Sequence, residues 1–444
     1  MYLTKPVVQL ANPSLLTSKK SSASLSLPKG RSPSYSLILL IVTITLSGFH
    51  NKAFCADKVI KEIASKASAG LSFSAGNATM DSFKSNENQL SIIAVGDILL
   101  HQPLHTQALQ SSIGHKSLWK YLLPVLEKAD IAYGNLEGPV APGVNKKGEF
   151  VPDPGNVFDQ DVYSSYPRFN YHESLIQDLI DSGVDVVSTA NNHALDHGSH
   201  GVDRTTEMLN KHGLSYTGTK HADDPRSDLE IWPTIVERNN FRTAWIACTF
   251  STNGLSDKHH QVLHCFENKN LILSLIKQLS SDHQIDAVFV TPHVGNEYED
   301  LPHASQVALY HAFADAGALA IFGAHPHVLQ PWEKYLNKKS EETFIIYSLG
   351  NFVSGQFQKV KTRASIMLNL TLIKNENGKT QIAQVQYLPL EMQRTRKDGY
   401  TVVPISDRTG NPEMYNHIKN MFGTPNMAQP NSFSAPSGLP SKLN

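Results

Sequence analysis

The two histidines of Ile321-Phe-Gly-Ala-His-Pro-His-Val328 stand one residue apart at the end of a short apolar run. In an extended segment, side chains at i and i+2 point the same way, so His325 and His327 are expected to meet one metal centre from one stretch of backbone. The run before them, Ala318-Leu-Ala-Ile-Phe322, reads as a buried strand, and Gly323 allows a tight turn at its end. The same arrangement recurs along the chain. Asp97 follows the apolar run Ser91–Val95, Asn135 and Glu137 follow Ile131–Tyr133, Asn191-Asn192-His193 follow Val184–Thr189, and His293 follows Ala287–Thr291. Polar clusters at successive strand ends are what a metal site built on one edge of a sheet requires. Carboxylate, amide and imidazole together suit one or two divalent ions, Mn, Fe or Zn, and a bridging carboxylate can hold two close together. The expected metal ligands are Asp97, Glu137, Asn192, His293, His325 and His327. His193 is the expected general acid, because imidazole titrates near working pH. Glu297, four residues after His293, is expected to orient that ring or a group of the substrate.

The elements that must position these residues alternate between apolar runs and helical patterns. Helices are expected over Ser117–Ala129, Ser174–Ser182, Val202–His212, Leu271–Leu279 and Ser305–Ala316. Further strands are expected near Ile231–Val236, Thr243–Cys248, Phe344–Tyr347, Ser365–Ile373 and Ile382–Leu388. Such alternation predicts an α/β fold with a largely parallel core, and the late strands predict a second, mixed sheet packed on it. Gly, Pro and Asp crowd the stretch from Gly143 to Asn170, which reads as a long surface excursion on the substrate side.

The ends of the chain differ in character from this body. Between Met1 and Ala56 there is no acidic residue, and Lys19, Lys20, Lys29 and Arg31 precede the apolar run Leu37–Leu46. That pattern predicts a signal peptide or signal anchor over 1–56 and a body exported or anchored in the cell envelope. Phe54 fits a cleavage site after Ala56 poorly, which leaves the uncleaved anchor open, and a Ser-rich organellar transit peptide is a further alternative. Residues 57–89 read as a flexible linker, 90–405 as one folded domain, and 406–444 as a largely disordered tail. Lysine plus arginine, 39, balances aspartate plus glutamate, 40, so there is no general basic field for nucleic acid. Cysteines occur only at 55, 248 and 265. A pairing of Cys248 with Cys265 is open to the chain, but Cys248 closes an apolar run and reads rather as a small hydrophobe.

Six motifs in order carry a family resemblance: Ala94-Val-Gly-Asp97, Gly134-Asn-Leu-Glu-Gly-Pro139, Ala190-Asn-Asn-His-Ala-Leu-Asp-His-Gly198, His293-Val-Gly-Asn-Glu297, Gly323-Ala-His-Pro-His-Val328 and Tyr347-Ser-Leu-Gly-Asn-Phe352. From about Leu90 to Val353 the chain resembles the CapA-type poly-γ-glutamate capsule synthesis proteins, which are similar to calcineurin-like metallophosphoesterases. The resemblance implies a four-layer αββα sandwich of two mixed sheets with metal at the strand ends. It also implies that Asp97 is a ligand from the first strand, that Glu137 stands in for a bridging aspartate, and that Asn192 with His193 matches the Asn-His pair. His293, His325 and His327 would complete the set. One departure is that Leu99 stands where the phosphoesterase pattern has a histidine, the nearest being His101. Another is that Gly-Asn-Leu-Glu replaces a motif built on aspartate.

Two functions fit these residues. The first is an envelope metal-dependent hydrolase or transferase acting on an anionic polymer or its precursor, narrowed by the resemblance to poly-γ-glutamate. The second is a non-catalytic component of a membrane-bound capsule assembly or export complex. Neither requires nucleic acid.

Overall fold

The computed structural model describes residues 56–74 and 88–428. The expected signal segment, part of the expected linker and the end of the tail lie outside the described residues. Two mixed sheets face each other. The first orders β14 (Gly399–Pro404), β13 (Thr380–Thr395), β12 (Ala364–Lys374), β1 (Gln89–Leu99), β2 (Ile131–Leu136), β3 (Val186–Ser188) and β4 (Ser215–Thr217), with β11 (Asn351–Ser354) beside the end of β1. The second orders β5 (Thr234–Arg238), β6 (Phe241–Thr249), β7 (Ala287–His293), β8 (Ala320–Phe322), β10 (Glu342–Leu349) and β9 (Leu329–Leu336). Strands β1 to β4 are mutually parallel, as are β6, β7, β8 and β10, and antiparallel strands flank both sets.

The layers follow from the two-residue alternation of side chains along each strand. On β1, Ile92 and Ala94 join Tyr133 of β2 and Leu368 and Leu370 of β12 in a core with Trp245, Phe289, Phe322 and Ile346 of the opposite sheet. Ile93 and Val95 point the other way, into a core with α2 (Gln102–Gln110), α4 (Ser174–Asp181) and α5 (Gly198–His212). Likewise Val288 and Val290 of β7 pack outward against α7 (Lys269–Ser281) and α8 (Ala304–Ala316). With both faces covered, β1 is buried from Leu90 to Leu99, which is why its sequence is apolar from Ile92 up to Gly96-Asp97. This is the four-layer αββα sandwich that the motif resemblance implies.

Differences from the sequence reading are local. The expected helix over Ser117–Ala129 is broken into a 3-10 turn, Gly114–Leu118, and the single turn α3 (Leu123–Leu126), where Pro124 cannot donate to a preceding carbonyl. Residues 56–67, all but the first within the expected linker, form a helix, α1, whose Ile63 and Ala67 are buried. The Trp332 indole N–H donates to the Ala67 carbonyl at 3.0 Å. The expected tail also folds further than 405. Helix α9 (Pro412–Phe422) starts at Asn411, whose side chain accepts from the Glu413 amide, and buries Met414, Ile418 and Phe422. Asn426 then bonds the Leu71 amide and carbonyl at 2.7 and 2.8 Å, latching the two outlying segments together. Cys248 and Cys265 form a disulfide with Cα atoms 5.0 Å apart, correcting the reading of Cys248 as a free hydrophobe.

Candidate metal centre

All the parallel strands of both sheets deliver their carboxyl ends to one edge, and the polar clusters meet there. Gly96 permits the approach on which this depends: a Cβ at that position would lie 1.8 Å from the Gly350 carbonyl oxygen, so β1 and β11 could not come together with any side chain present. Asp97 and Asn351 sit opposite each other in that pairing. His327 bridges them, its Nδ1 lying 3.1 Å from Asp97 Oδ2 and 3.0 Å from Asn351 Oδ1.

The turn carrying the two histidines is not extended. His325 and His327 have φ of 99° and 56°, so the expected i, i+2 geometry is replaced by two residues in left-handed conformations. Non-glycine residues adopt such conformations at a cost of about 1–3 kcal/mol each, and they concentrate at functional sites. The outcome is convergence all the same. His325 Nδ1 lies 3.2 Å from His293 Nε2, and that same nitrogen lies 2.8 Å from Asn192 Oδ1. Asn135 Nδ2 serves both Asp97 Oδ1 at 2.8 Å and His293 Nδ1 at 3.2 Å, while its oxygen accepts from the Ser188 hydroxyl.

Glu137 lies at the middle of this cluster. Its Oε1 is 3.5 Å from His293 Nε2 and 3.8 Å from His327 Nε2. Both carboxylate oxygens are buried without a hydrogen-bond partner. Burial by itself would raise its pKa, but the facing His327 and His293 outweigh this and hold it well below the usual carboxylate range. Burial would also lower His327, yet Glu137 and Asp97 carry it up to about 9. His325, with no carboxylate in contact, is driven well below its ordinary value by burial and by the neighbouring imidazoles. The centre thus combines a carboxylate favoured in its ionised form, with no hydrogen bond to either oxygen, with an imidazole, His325, disfavoured in its protonated form.

Those features fit a cation. Ligand atoms of Asp97, Glu137 and His293 all lie within 4.8 Å of one another. Donors about 2.0–2.6 Å from an ion are separated by about 3–5 Å from each other, so this spread suits a shared divalent ion. Asn192, His325 and His327 stand around the same point through the contacts given above.

The two residues assigned acid–base roles are placed differently. His193, next to Asn192, is buried with Nδ1 2.7 Å from Asp196 Oδ2 and its ring edge-on to Phe169. Burial opposes its protonation, but Asp196 and Glu137 prevail and raise its pKa. Glu297 is exposed and shares no hydrogen bond with His293, whose ring is held by Asn135 and Asn192. Leu99 packs in the helix-side core, and His101 approaches from the next turn, its Nδ1 accepting from the Gly355 amide. Burial lowers His101 to about 4, so it is neutral there. Asn135, Asn351 and Asp196 are supporting residues that the sequence reading did not assign, although all three lie inside the motifs it singled out.

A four-layer sandwich that gathers buried carboxylates, amides and imidazoles at the carboxyl ends of its parallel strands is an α/β protein with a strand-end cluster that could hold a metal ion. Residues 91–356 match the family model described as bacterial capsule synthesis protein PGA_cap, and the chain belongs to that family. It is 28% identical over 313 residues to the PGA biosynthesis protein CapA of Bacillus subtilis (strain 168), an alignment covering 70% of this chain and 75% of that protein. It is 30% identical over 318 residues to the capsule biosynthesis protein CapA of Bacillus anthracis, covering 70% and 69%. Among solved structures, the NAD nucleotidase NadN of Haemophilus influenzae aligns over 77% of this chain at 11% identity and a TM-score of 0.41. The sulfate thiohydrolase SoxB of Termus thermophilus aligns over 75% at 11% identity and a TM-score of 0.37. This chain spans 63% and 60% of those two solved chains, less than two thirds of each.

Proposed function

We propose that this chain is a cell-envelope protein of poly-γ-glutamate capsule biosynthesis or processing, acting as a metal-dependent hydrolase or transferase on the anionic polymer or its precursor. One observation carries the catalytic part. The Glu137 carboxylate is wholly buried with neither oxygen in a hydrogen bond, at the point where Asp97, His293 and His327 converge, so the protein keeps an uncommitted anionic donor where a divalent cation would sit. Asp97, Glu137, Asn192, His293, His325 and His327 would hold that ion. When bound, a divalent ion supplies Lewis acidity toward a carbonyl or phosphoryl oxygen and toward water. The protein's own groups do the rest. Asp196 fixes the His193 ring through Nδ1, which leaves Nε2 as the atom from which a proton can pass to a leaving group. Asn135 fixes Asp97 and His293 relative to each other. The place in the envelope is supported by the kinship with capsule proteins and by the disulfide, which suits an oxidising compartment. Among the described residues no helix is long and apolar enough to cross a membrane. Association with a membrane-bound capsule synthesis complex is part of the same proposal.

The test compares His325→Ala with His193→Ala in the full chain. His325→Ala should lower metal content measured by elemental analysis. His193→Ala should keep the metal and lose roughly 10²–10⁴ in turnover of γ-glutamate polymer. Leu99, in place of a histidine, is the observation that favours a binding role instead. Capsule assembly that survives both substitutions in a deletion strain would establish that second reading and end the first.

A further inference from the structure

The long excursion between β2 and α4 carries three cations, Lys146, Lys147 and Arg168, the last of them next to Phe169 at the wall of the centre. Among the described residues, no carboxylate pairs with Lys146, Lys147 or Arg168, whereas Arg204 nearby is neutralised by Glu207 at 2.9 Å. Arg168 is fixed in place from several directions. Its amide donates to the Ser165 carbonyl, its carbonyl accepts from the Ser164 hydroxyl at 2.7 Å, and its Nη1 donates to the Lys146 carbonyl at 2.6 Å. Ser164 is itself in contact with His197 Nε2 at 3.0 Å. The next residue, Phe169, forms part of the wall of the centre: its amide donates to Asp196 Oδ2 at 2.7 Å, the same oxygen that holds His193. Its ring meets His193 and His101 edge-on, with centroids 4.7 and 5.2 Å away. A guanidinium has five donors, and a purely structural arginine would commit most of them to buried acceptors. Arg168 commits one, to a carbonyl, and remains half-buried one residue from the chemistry.

We propose that Arg168, its guanidinium held on the Lys146 carbonyl, binds an oxyanion of the substrate and so sets which segment of it reaches the centre. The fork of an arginine suits a carboxylate or a phosphoryl group, and the bond from Nη1 to the Lys146 carbonyl already restrains the guanidinium, which lowers the ordering cost of binding. Identifying that oxyanion as the pendant carboxylate of an acidic polymer rests on the function proposed above; oxyanion binding itself does not.

The experiment measures binding of a fluorescein-labelled γ-glutamate pentamer to the full chain by anisotropy, beside the same pentamer with its carboxylates methyl-esterified. Phenyl phosphate serves as a competitor. The wild type should prefer the acid form. Arg168→Gln should weaken acid binding roughly 10–100-fold, leave ester binding unchanged and keep the metal content, while Arg168→Lys should recover only part of the loss. If the pentamer fails to bind but phenyl phosphate binds and depends on Arg168, the oxyanion site stands and the polymer reading falls. Equal losses for acid and ester would mean a merely structural arginine, and unchanged affinity, or a wild type that binds none of the three probes, would equally overturn the proposal.

Discussion

At the scale of single residues, the centre is built from groups whose partners are chosen to leave donor atoms free. Asp97 gives one oxygen to Asn135 and the other to His327, and His293 is turned by two asparagines, while Glu137 keeps both oxygens uncommitted. Asn135 is the common element, since one amide nitrogen serves both Asp97 and His293. Removing it leaves every expected ligand in place but unties two of them. Outer partners of this kind are typically worth 10–100-fold in metal affinity. Asn135→Ala should therefore bind Mn or Zn about 10–100-fold more weakly, measured by competition with a chromophoric chelator, with the fold intact by circular dichroism. Unchanged affinity would mean that the two ligands are positioned by their strands alone. Sequence spacing cannot reveal this role, because an asparagine ending a strand looks the same whether it caps a turn or ties two ligands. What marks Asn135 is its register against Asp97, which appears only once β1 and β2 are paired.

At the scale of elements, the disulfide joins the end of β6 to the stretch that returns toward α7, closing a loop with a sequence separation of 17. In the chain-entropy account a loop of about that length contributes about 3 kcal/mol by restricting the unfolded chain. Cys265→Ser should lower stability to unfolding by about that amount, and protein recovered from the envelope should show no thiol at Cys248 or Cys265 by alkylation and mass spectrometry. Free thiols at both positions in active protein would remove the disulfide and its support for export together. Elements buried on both faces were legible because their apolar runs are continuous: the centres of β1, β7 and β10 were readable, although each strand extends two to four residues past the expected run at one or both ends. The outlying helices were not. In α1 the buried face rests on Ile63 and Ala67 amid Lys, Ser and Ala, a composition that also suits a linker. In α9 the buried positions Met414, Ile418 and Phe422 are spaced four apart, flanked by Tyr415 and Met421 among polar residues, a stripe that gains meaning only from the sheet it covers. The strand-end chemistry was readable as a set, but the backbone that aims His325 and His327 was not, since left-handed conformations at non-glycine residues leave no mark in composition.

At the scale of the whole molecule, buried imidazoles set how stability responds to pH. His105 and His197 are fully buried away from the centre, and burial is the main cause that lowers them to about 3 and about 4. Between those values and about 6.5 the unfolded chain binds protons that the native state refuses, so stability rises with pH there and falls on acidification. Each such histidine withdraws about 1.4 kcal/mol per pH unit across that window. His327 acts in the opposite sense. Raised to about 9, it gives the metal-free protein a contribution that is complete below about 6.5 and fades as pH climbs through 9. A bound cation displaces that proton, and its ligands favour deprotonation, so occupancy should relieve the alkaline loss. Thermal unfolding followed from pH 4 to 10 in chelator should accordingly peak near pH 6.5 and decline on both sides. Added Mn or Zn should raise the alkaline limb while leaving the acid slope from His105 and His197 largely in place down to pH 5. His105→Leu should flatten the acid slope by about 1.4 kcal/mol per pH unit, even though it gives up the acceptor now used by the His172 amide. An alkaline limb in chelator that does not fall, or that metal leaves unchanged, would show that Glu137 and His327 do not hold each other's charge and would remove the electrostatic argument for a cation between them.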